Sequence, residues 1–261
     1  MPLTAFQAEL ARLLAVNRSP DSYLAGGAAI NIEPNTARYS NDLDYFQDSV
    51  ERVARACAED RKLLLDNGYL ISIDLQQPGY VRATLHKEEQ STKIEWSHDS
   101  AWRFMPTLLH EEYGYQLHPI DLAINKVLAL VGRNEARDFV DTLHVSENVL
   151  TLGALCWSAA GKDPGFTPLS LLELLRRRGK YQPQDFERLM LAQPVDLPAM
   201  KQKWIAALDS ADMFIRSRPA EEIGCLYYSP SRKRFVEPDS KAPGDEVPHF
   251  GRPGGVLPGI R

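Results

Sequence analysis

An α+β fold is predicted for this chain of 261 residues: a small mixed sheet flanked by helices, followed by a mainly helical C-terminal domain. Three observations predict it. Apolar residues alternate at period two around residues 42–46 and through 69–96. Helical spacing precedes and separates those stretches, and from Thr151 onward it dominates. A hydrophobic content of 44% and a charged content of 25% exclude disordered, collagen-like and membrane-embedded classes. The length suits one substantial core and a smaller second one. The expected division is 1–150, then 151–236 with a terminal hairpin, then a flexible tail, 237–261, rich in proline and glycine.

Phe6, Leu10, Leu13 and Leu14 predict an amphipathic first helix that packs on the sheet. Residues 23–25 form a short strand, and Gly26-Gly27 ahead of Ala28-Ala29-Ile30 opens a helix. A turn-rich passage through Asn31, Pro34 and Asn35 leads to Asp42-Leu43-Asp44-Tyr45-Phe46. There an extended backbone sends Leu43 and Tyr45 into a core while Asp42 and Asp44 project together from the other face. Val50, Val53, Ala54 and Cys57 mark one face of a helix closed by Asn67-Gly68, with Cys57 a core residue rather than a nucleophile. Residues 69–75 and 80–85 form a hairpin across Pro78-Gly79. Residues 92–96 add a strand with Ile94 on one face and Lys93 and Glu95 on the other.

Residues 98–118 are predicted to be irregular; His110, Glu111 and Glu112 lack metal-helix spacing and fit an exposed loop. Pro119 begins a helix ending near Gly132, and Asn134 caps the next. Helices over 169–178, 183–191 and 198–214 follow, separated by Gly179 and by Gln193-Pro194, and a hairpin pairs 226–228 with 232–236.

The net charge of -5 argues against coating nucleic acid with bulk positive charge, so any RNA contact is focal. Arg176, Arg177, Arg178 and Lys180 cluster at a helix end, where they suit the helix dipole and equally an RNA backbone. Arg232-Lys233-Arg234 beside Tyr227 and Tyr228 makes a second basic patch. Cys57, Cys156 and Cys225 are far apart and odd in number, which fits a reducing cytoplasm without a disulfide framework. The first residues lack a signal peptide's apolar core, and no stretch approaches the ~20 apolar residues that span a bilayer; a soluble protein with no membrane partner is expected.

Two carboxylates on one strand edge repel each other unless a cation lies between them, and hard oxygen ligands suit Mg²⁺ carrying substrate phosphates. Glycines at the preceding turn let backbone N–H groups approach a phosphate. Together these features read as a nucleoside triphosphate site.

Gly26-Gly27, a gap, then Arg38-x-Ser40-x-Asp42-x-Asp44 and two aromatics resembles the nucleotidyltransferase toxins of the abortive-infection AbiEii/AbiGii type, in the polymerase-beta-like nucleotidyltransferase superfamily. A second match lies well apart. Asp121-Leu122-Ala123-x-Asn125-Lys126-x-Leu128-Ala129-Leu130, followed by Gly132-Arg133-x-x-Ala136-Arg137-Asp138-Phe139-x-Asp141, is similar to the second half of that family's domain.

The resemblance implies the nucleotidyltransferase fold in the first domain, with Mg²⁺ (or Mn²⁺) at Asp42 and Asp44 and a third carboxylate, Glu95, from a neighbouring strand. It implies that Gly26, Gly27, Ser40 and Lys126 contact nucleotide phosphate, with Asp138 or Asp141 orienting it. A purely structural Arg–Asp latch, with Arg137 reaching Asp141, stays equally open for those helices. Family members generally carry Ser or Thr after the glycines, whereas this chain has Ala28, so either affinity is weaker or Ser40 and the backbone compensate. The implied activity is transfer of a nucleoside monophosphate from an NTP to an acceptor hydroxyl on RNA, in particular tRNA. The implied partner is a cognate antitoxin. Transfer to a small molecule or a protein, and a non-catalytic nucleotide-binding regulator, are the alternatives.

Overall fold

A computed structural model of the chain describes residues 3–32, 38–40, 42–191, 194, 196–239 and 244–259. The chain divides into two compact units: Met1–His118 with Pro253–Gly255, and Pro119–Arg252 with Val256–Arg261.

The first unit begins with α1 (Ala5–Leu14), started by a capping box in which Thr4 and Gln7 satisfy each other's backbone N–H. Leu10, Ala11 and Leu14 are fully buried on its inner face. There follow β1 (Ser22–Ala25), α2 (Gly26–Ile30), β2 (Asp42–Gln47) and α3 (Val50–Asp66), then β3 (Leu70–Gln77), β4 (Tyr80–Lys87) and β5 (Gln90–His98). The passage expected to be irregular contributes three short strands, β6 (Trp102–Arg103), β7 (Leu108–His110) and β8 (Gly114–Gln116).

The mixed sheet runs β3-β4-β5-β2-β1-β8-β7. It is larger than the small sheet expected, because β8 pairs parallel with β1 and carries β7 with it. At its centre β2 lies antiparallel to β1 and parallel to β5. Leu43, Tyr45, Ile94 and Trp96 are fully buried, as the alternation predicted.

One buried polar knot holds these strands from below. Asp60 on α3 accepts from Arg18 (2.5 Å), Asn17 (2.9 Å) and the Trp96 indole N–H (2.7 Å). The Arg18 guanidinium in turn stacks 4.2 Å from the Tyr45 ring. Arg18 and Asp60 side chains are wholly inaccessible to solvent, so each charge depends on the other for its compensation.

The second unit comprises α4 (Pro119–Arg133), α5 (Ala136–Asn148), α6 (Leu152–Lys162), α7 (Pro168–Arg176), α8 (Pro183–Phe186) and α9 (Leu197–Ser217), then β9 (Leu226–Ser229), β10 (Arg234–Phe235) and β11 (Val247–His249). Its boundary falls at Pro119 rather than at residue 151, because α4 packs on α5, α6 and α7, and α5 packs on α9. Phe139 on α5 meets Trp204 on α9 edge to face at 5.3 Å and Tyr181 at 5.2 Å, which locks α5 into the helical core. The helix expected over 183–191 ends at Phe186.

Asn134 does not cap α5. It takes a left-handed conformation (φ 54) that closes α4, and its Oδ1 accepts from the Tyr181 hydroxyl at 2.9 Å. The expected flexible tail is also structured in part: β11 pairs with β9 to form a sheet ordered β10-β9-β11. Asp245 anchors that return by accepting from Ser229 Oγ and the Ser231 N–H, both at 2.7 Å. Further on, the Gly254 N–H donates to the Ala101 carbonyl of the first unit, to which Pro253–Gly255 belong. The turn positions Pro34 and Asn35 and the separator Gln193 lie outside the described residues.

Candidate active site

Five of the expected site residues converge where β1 turns into α2 alongside β2. Gly26 takes φ +60, a conformation that costs a side-chain-bearing residue more than glycine. The turn presses against β2: the Gly27 N–H donates to Asp44 Oδ2 at 3.3 Å. The glycine pair therefore seats a carboxylate directly. Asn31 braces the turn by donating from Nδ2 to the Gly27 carbonyl at 2.8 Å.

Ser40 is fully buried. Its hydroxyl lies 2.9 Å from the Asp42 carbonyl and 3.2 Å from Asp42 Oδ1. Gln7 on α1 fixes the same loop by donating to the Ser40 carbonyl and to Thr92 Oγ1 on β5, both at 3.1 Å. Asp42 and Asp44 alternate with Leu43 and Tyr45, so both carboxylates leave the sheet on one face, each half-buried.

Glu95 is the register partner of Asp44 in the parallel β2–β5 pair. Paired residues share a face, and neighbouring strands lie about 4.8 Å apart. Glu95 is thus in the same row as Asp44, but its Oε1 accepts from Arg82 Nε at 2.8 Å. Among the described residues no three His, Cys, Asp or Glu side chains stand close enough together to hold a metal ion. What the site offers is a pair of hard oxygen donors, Asp42 and Asp44, with the third carboxylate adjacent and engaged. That donor set fits Mg²⁺, which is commonly held by one or two carboxylates with water and substrate phosphate completing its shell.

Lys126, Asp138 and Asp141 lie in the second unit and contact one another. Lys126 Nζ is 2.9 Å from Asp141 and 3.4 Å from Asp138, and both carboxylates are fully buried. Arg133 adds a bond to Asp138 at 3.0 Å. Lys126, supported by Arg133, links α4 to α5, and Arg137 also pairs with Glu135. Of the basic cluster, Arg176 faces Glu173, Asp209 and Asp212, and Arg178 donates to the Val131 carbonyl. Arg177 and Lys180 are exposed.

Cys57 is buried, and burial pushes its thiol up to about 11, as fits a core residue. His110 accepts backbone N–H bonds from Glu112 and Tyr113, and Glu112 pairs with Arg12, so this loop has a structural arrangement of its own.

Residues 9–223 match the family model of the nucleotidyl transferase AbiEii toxin of type IV toxin–antitoxin systems. The chain belongs to this family. Its activity class is accordingly nucleotidyl transfer. No curated protein matches the AbiEii chain in sequence. Among solved structures it is similar to JHP933 from Helicobacter pylori, with a TM-score of 0.53 and 18% identity over 81% of this chain and 91% of that one. It is equally similar to MenT4, a nucleotidyltransferase toxin from Mycobacterium tuberculosis, with a TM-score of 0.53 and 18% identity over 83% of both chains. At that identity the likeness shows a shared fold.

In the AbiEii chain, two residues near the carboxylates have structural parts that sequence reasoning did not assign. Arg38 is buried against the glycine turn, where a Cβ on Gly27 would come within 2.7 Å of its Nη2. Its place in the Arg-x-Ser-x-Asp-x-Asp run was the available signal. Arg82 had none, because its contact with Glu95 depends on the register of two strands.

No helix among the described residues is long and apolar enough to cross a membrane.

Proposed function

We propose that this AbiEii toxin transfers a nucleoside monophosphate from an NTP to a hydroxyl of RNA, with tRNA as the acceptor, releasing pyrophosphate in the cytoplasm under the control of a cognate antitoxin. One observation carries the reading: Asp42 and Asp44 leave β2 on one face, with Asp44 seated on the Gly26–Gly27 turn and in register with Glu95.

A divalent ion, Mg²⁺ or Mn²⁺, held by Asp42 and Asp44 would supply positive charge where negative charge develops on the transferring phosphoryl group. The chain's own groups prepare that place. Ser40 orients Asp42, and the Gly27 N–H orients Asp44, so neither carboxylate has to be ordered when the nucleotide arrives. The acceptor oxygen forms its bond to the α-phosphorus as the bond to the β-phosphate oxygen breaks, and Glu95, in the same row, takes the acceptor's proton.

Lys126 has three N–H donors, and Asp138 and Asp141 engage two of them. The third is the donor proposed for nucleotide phosphate. Ala28 brings no hydroxyl to this site, and Ser40 is buried with its hydroxyl on Asp42, so beside Lys126 the phosphate contacts proposed here come from the backbone of the glycine turn. Arg177 and Lys180, exposed in the second unit, are the candidate contacts to RNA phosphates.

The test is incubation of the protein with Mg²⁺ and labelled nucleoside triphosphates, one at a time, against total RNA, protein and aminoglycosides. Label in the tRNA fraction is the predicted result. Label confined to protein or drug would overturn the acceptor, and tight nucleotide binding without label would indicate a regulator.

A further inference from the structure

Asp44, Glu95 and Arg82 form a row across three neighbouring strands. Asp44 is opposite Glu95 in the parallel β2–β5 pair, and Glu95 is opposite Arg82 in the antiparallel β5–β4 pair. Side chains of register partners share a face and meet as cross-strand pairs. A guanidinium thus stands beside the carboxylates of the candidate site, with Glu95 between it and Asp44.

The contact is well formed but open to solvent. Arg82 Nε donates to Glu95 Oε1 at 2.8 Å, with 40% of the Arg82 side chain and 18% of the Glu95 side chain exposed. The Tyr80 ring flanks the guanidinium, its centroid 5.6 Å away. The environment differs sharply from that of Arg18 and Asp60, which are wholly enclosed and cannot exchange partners without opening the core. An ion pair that solvent reaches in part is held less firmly than an enclosed one, so a competing cation can take its carboxylate. That hydrogen bond ties Glu95 to β4, and among the described residues Asp42, Asp44 and Glu95 do not form a group of three close enough to hold one ion.

We propose that Arg82 is a positioning residue that competes with the divalent cation for Glu95. In the ion-free protein Arg82 neutralises and orients Glu95. Once an ion is held by Asp42 and Asp44, Glu95 exchanges the guanidinium for it, and the released guanidinium faces the anionic substrate. The pairing thereby couples completion of the acidic site to the exposure of a positive charge beside it. The inference rests on the metal-dependent reading given above.

Mn²⁺ binding to the full-length, nucleotide-free protein, followed by the electron paramagnetic resonance signal of free Mn²⁺, tests it without any turnover. Arg82→Met should bind Mn²⁺ about two- to fivefold tighter than the wild type, the range a solvent-exposed ion pair can contribute. Arg82→Lys, which keeps the charge, should bind like the wild type, and Glu95→Gln should bind more weakly. In the Glu95→Gln background Arg82→Met should have no effect.

A merely structural role for Arg82 would not tighten binding. Unchanged or weaker Mn²⁺ binding by a folded Arg82→Met protein would overturn the proposal, as would equal tightening in the Glu95→Gln background, which would mark a general charge effect. Wild-type protein that binds no Mn²⁺, or binding that survives Asp42→Asn intact, would overturn the metal reading itself and this proposal with it.

Discussion

A methyl group placed on Gly26 would stand 1.8 Å from Asp44 Oδ2. No real Cβ tolerates that separation, so the glycine turn and the carboxylate are fitted to each other, and one cannot grow without displacing the other. Gly26 also sits at φ +60, where a side chain adds about 1–2 kcal/mol of strain. Gly26→Ala is predicted to stay folded but to lose transfer activity by about 100-fold or more, the scale on which misplacement of reacting groups by an ångström acts. Steady-state transfer rates measured beside a thermal melt check this; wild-type turnover in the variant would show that Asp44 does not need its seat.

The Arg18–Asp60 pair predicts a stability effect remote from the chemistry. Asp60 also receives the Trp96 indole N–H, and Arg18 covers Tyr45, so one carboxylate ties α3 to both β5 and β2. Asp60→Ala strands a buried guanidinium and should cost about 3–5 kcal/mol in urea denaturation. A loss well under 1 kcal/mol would mean that the knot is not what fixes these strands.

Lys126 separates two roles by measurement. Lys126→Met leaves Asp138 and Asp141 buried with one cation fewer, although Arg133 still reaches Asp138. The predicted cost is about 3–5 kcal/mol of stability, and, at temperatures where the variant remains folded, a raised KM for NTP. Loss of stability with unaltered KM would confine Lys126 to joining α4 and α5.

His118 makes stability depend on pH. Burial pushes its imidazole from 6.5 down to about 4, so between those values the unfolded chain takes up the proton before the folded one does. The contribution is complete above pH 6.5 and is lost progressively as pH falls toward 4. Denaturation midpoints should decline over that window in the wild type and less steeply in His118→Gln; identical slopes would contradict it.

How much of this was legible in sequence depended on whether a segment has two unlike faces. β2 showed itself because Leu43 and Tyr45 are buried while Asp42 and Asp44 are not, and α1, α3 and α4 each carry one apolar stripe. By contrast α6 is buried continuously from Leu152 to Ala160, and a helix enclosed on all sides has no amphipathic period to detect. β7 and β8 are too short for any period and exist because β1 offers an edge to pair with. β11 lies in a proline- and glycine-rich stretch, and pairing with β9 gave it structure that composition argued against.

The candidate site followed the same rule. Spacing within β2 placed the two aspartates on one face, and the resemblance singled out Glu95. That Glu95 is register partner to Asp44, and that Arg82 holds it, follows from β4–β5–β2 pairing, which no local pattern encodes. The burial of Lys126 between Asp138 and Asp141 likewise needed α4 and α5 to be packed first.

Asp42→Asn tests the central claim most directly, because the amide keeps the shape of the side chain and its contact with Ser40 while removing the charge. With labelled NTP, Mg²⁺ and RNA, the account predicts a wild-type circular dichroism spectrum and no detectable label transfer. Metal-dependent transfer at the wild-type rate by that variant would contradict it.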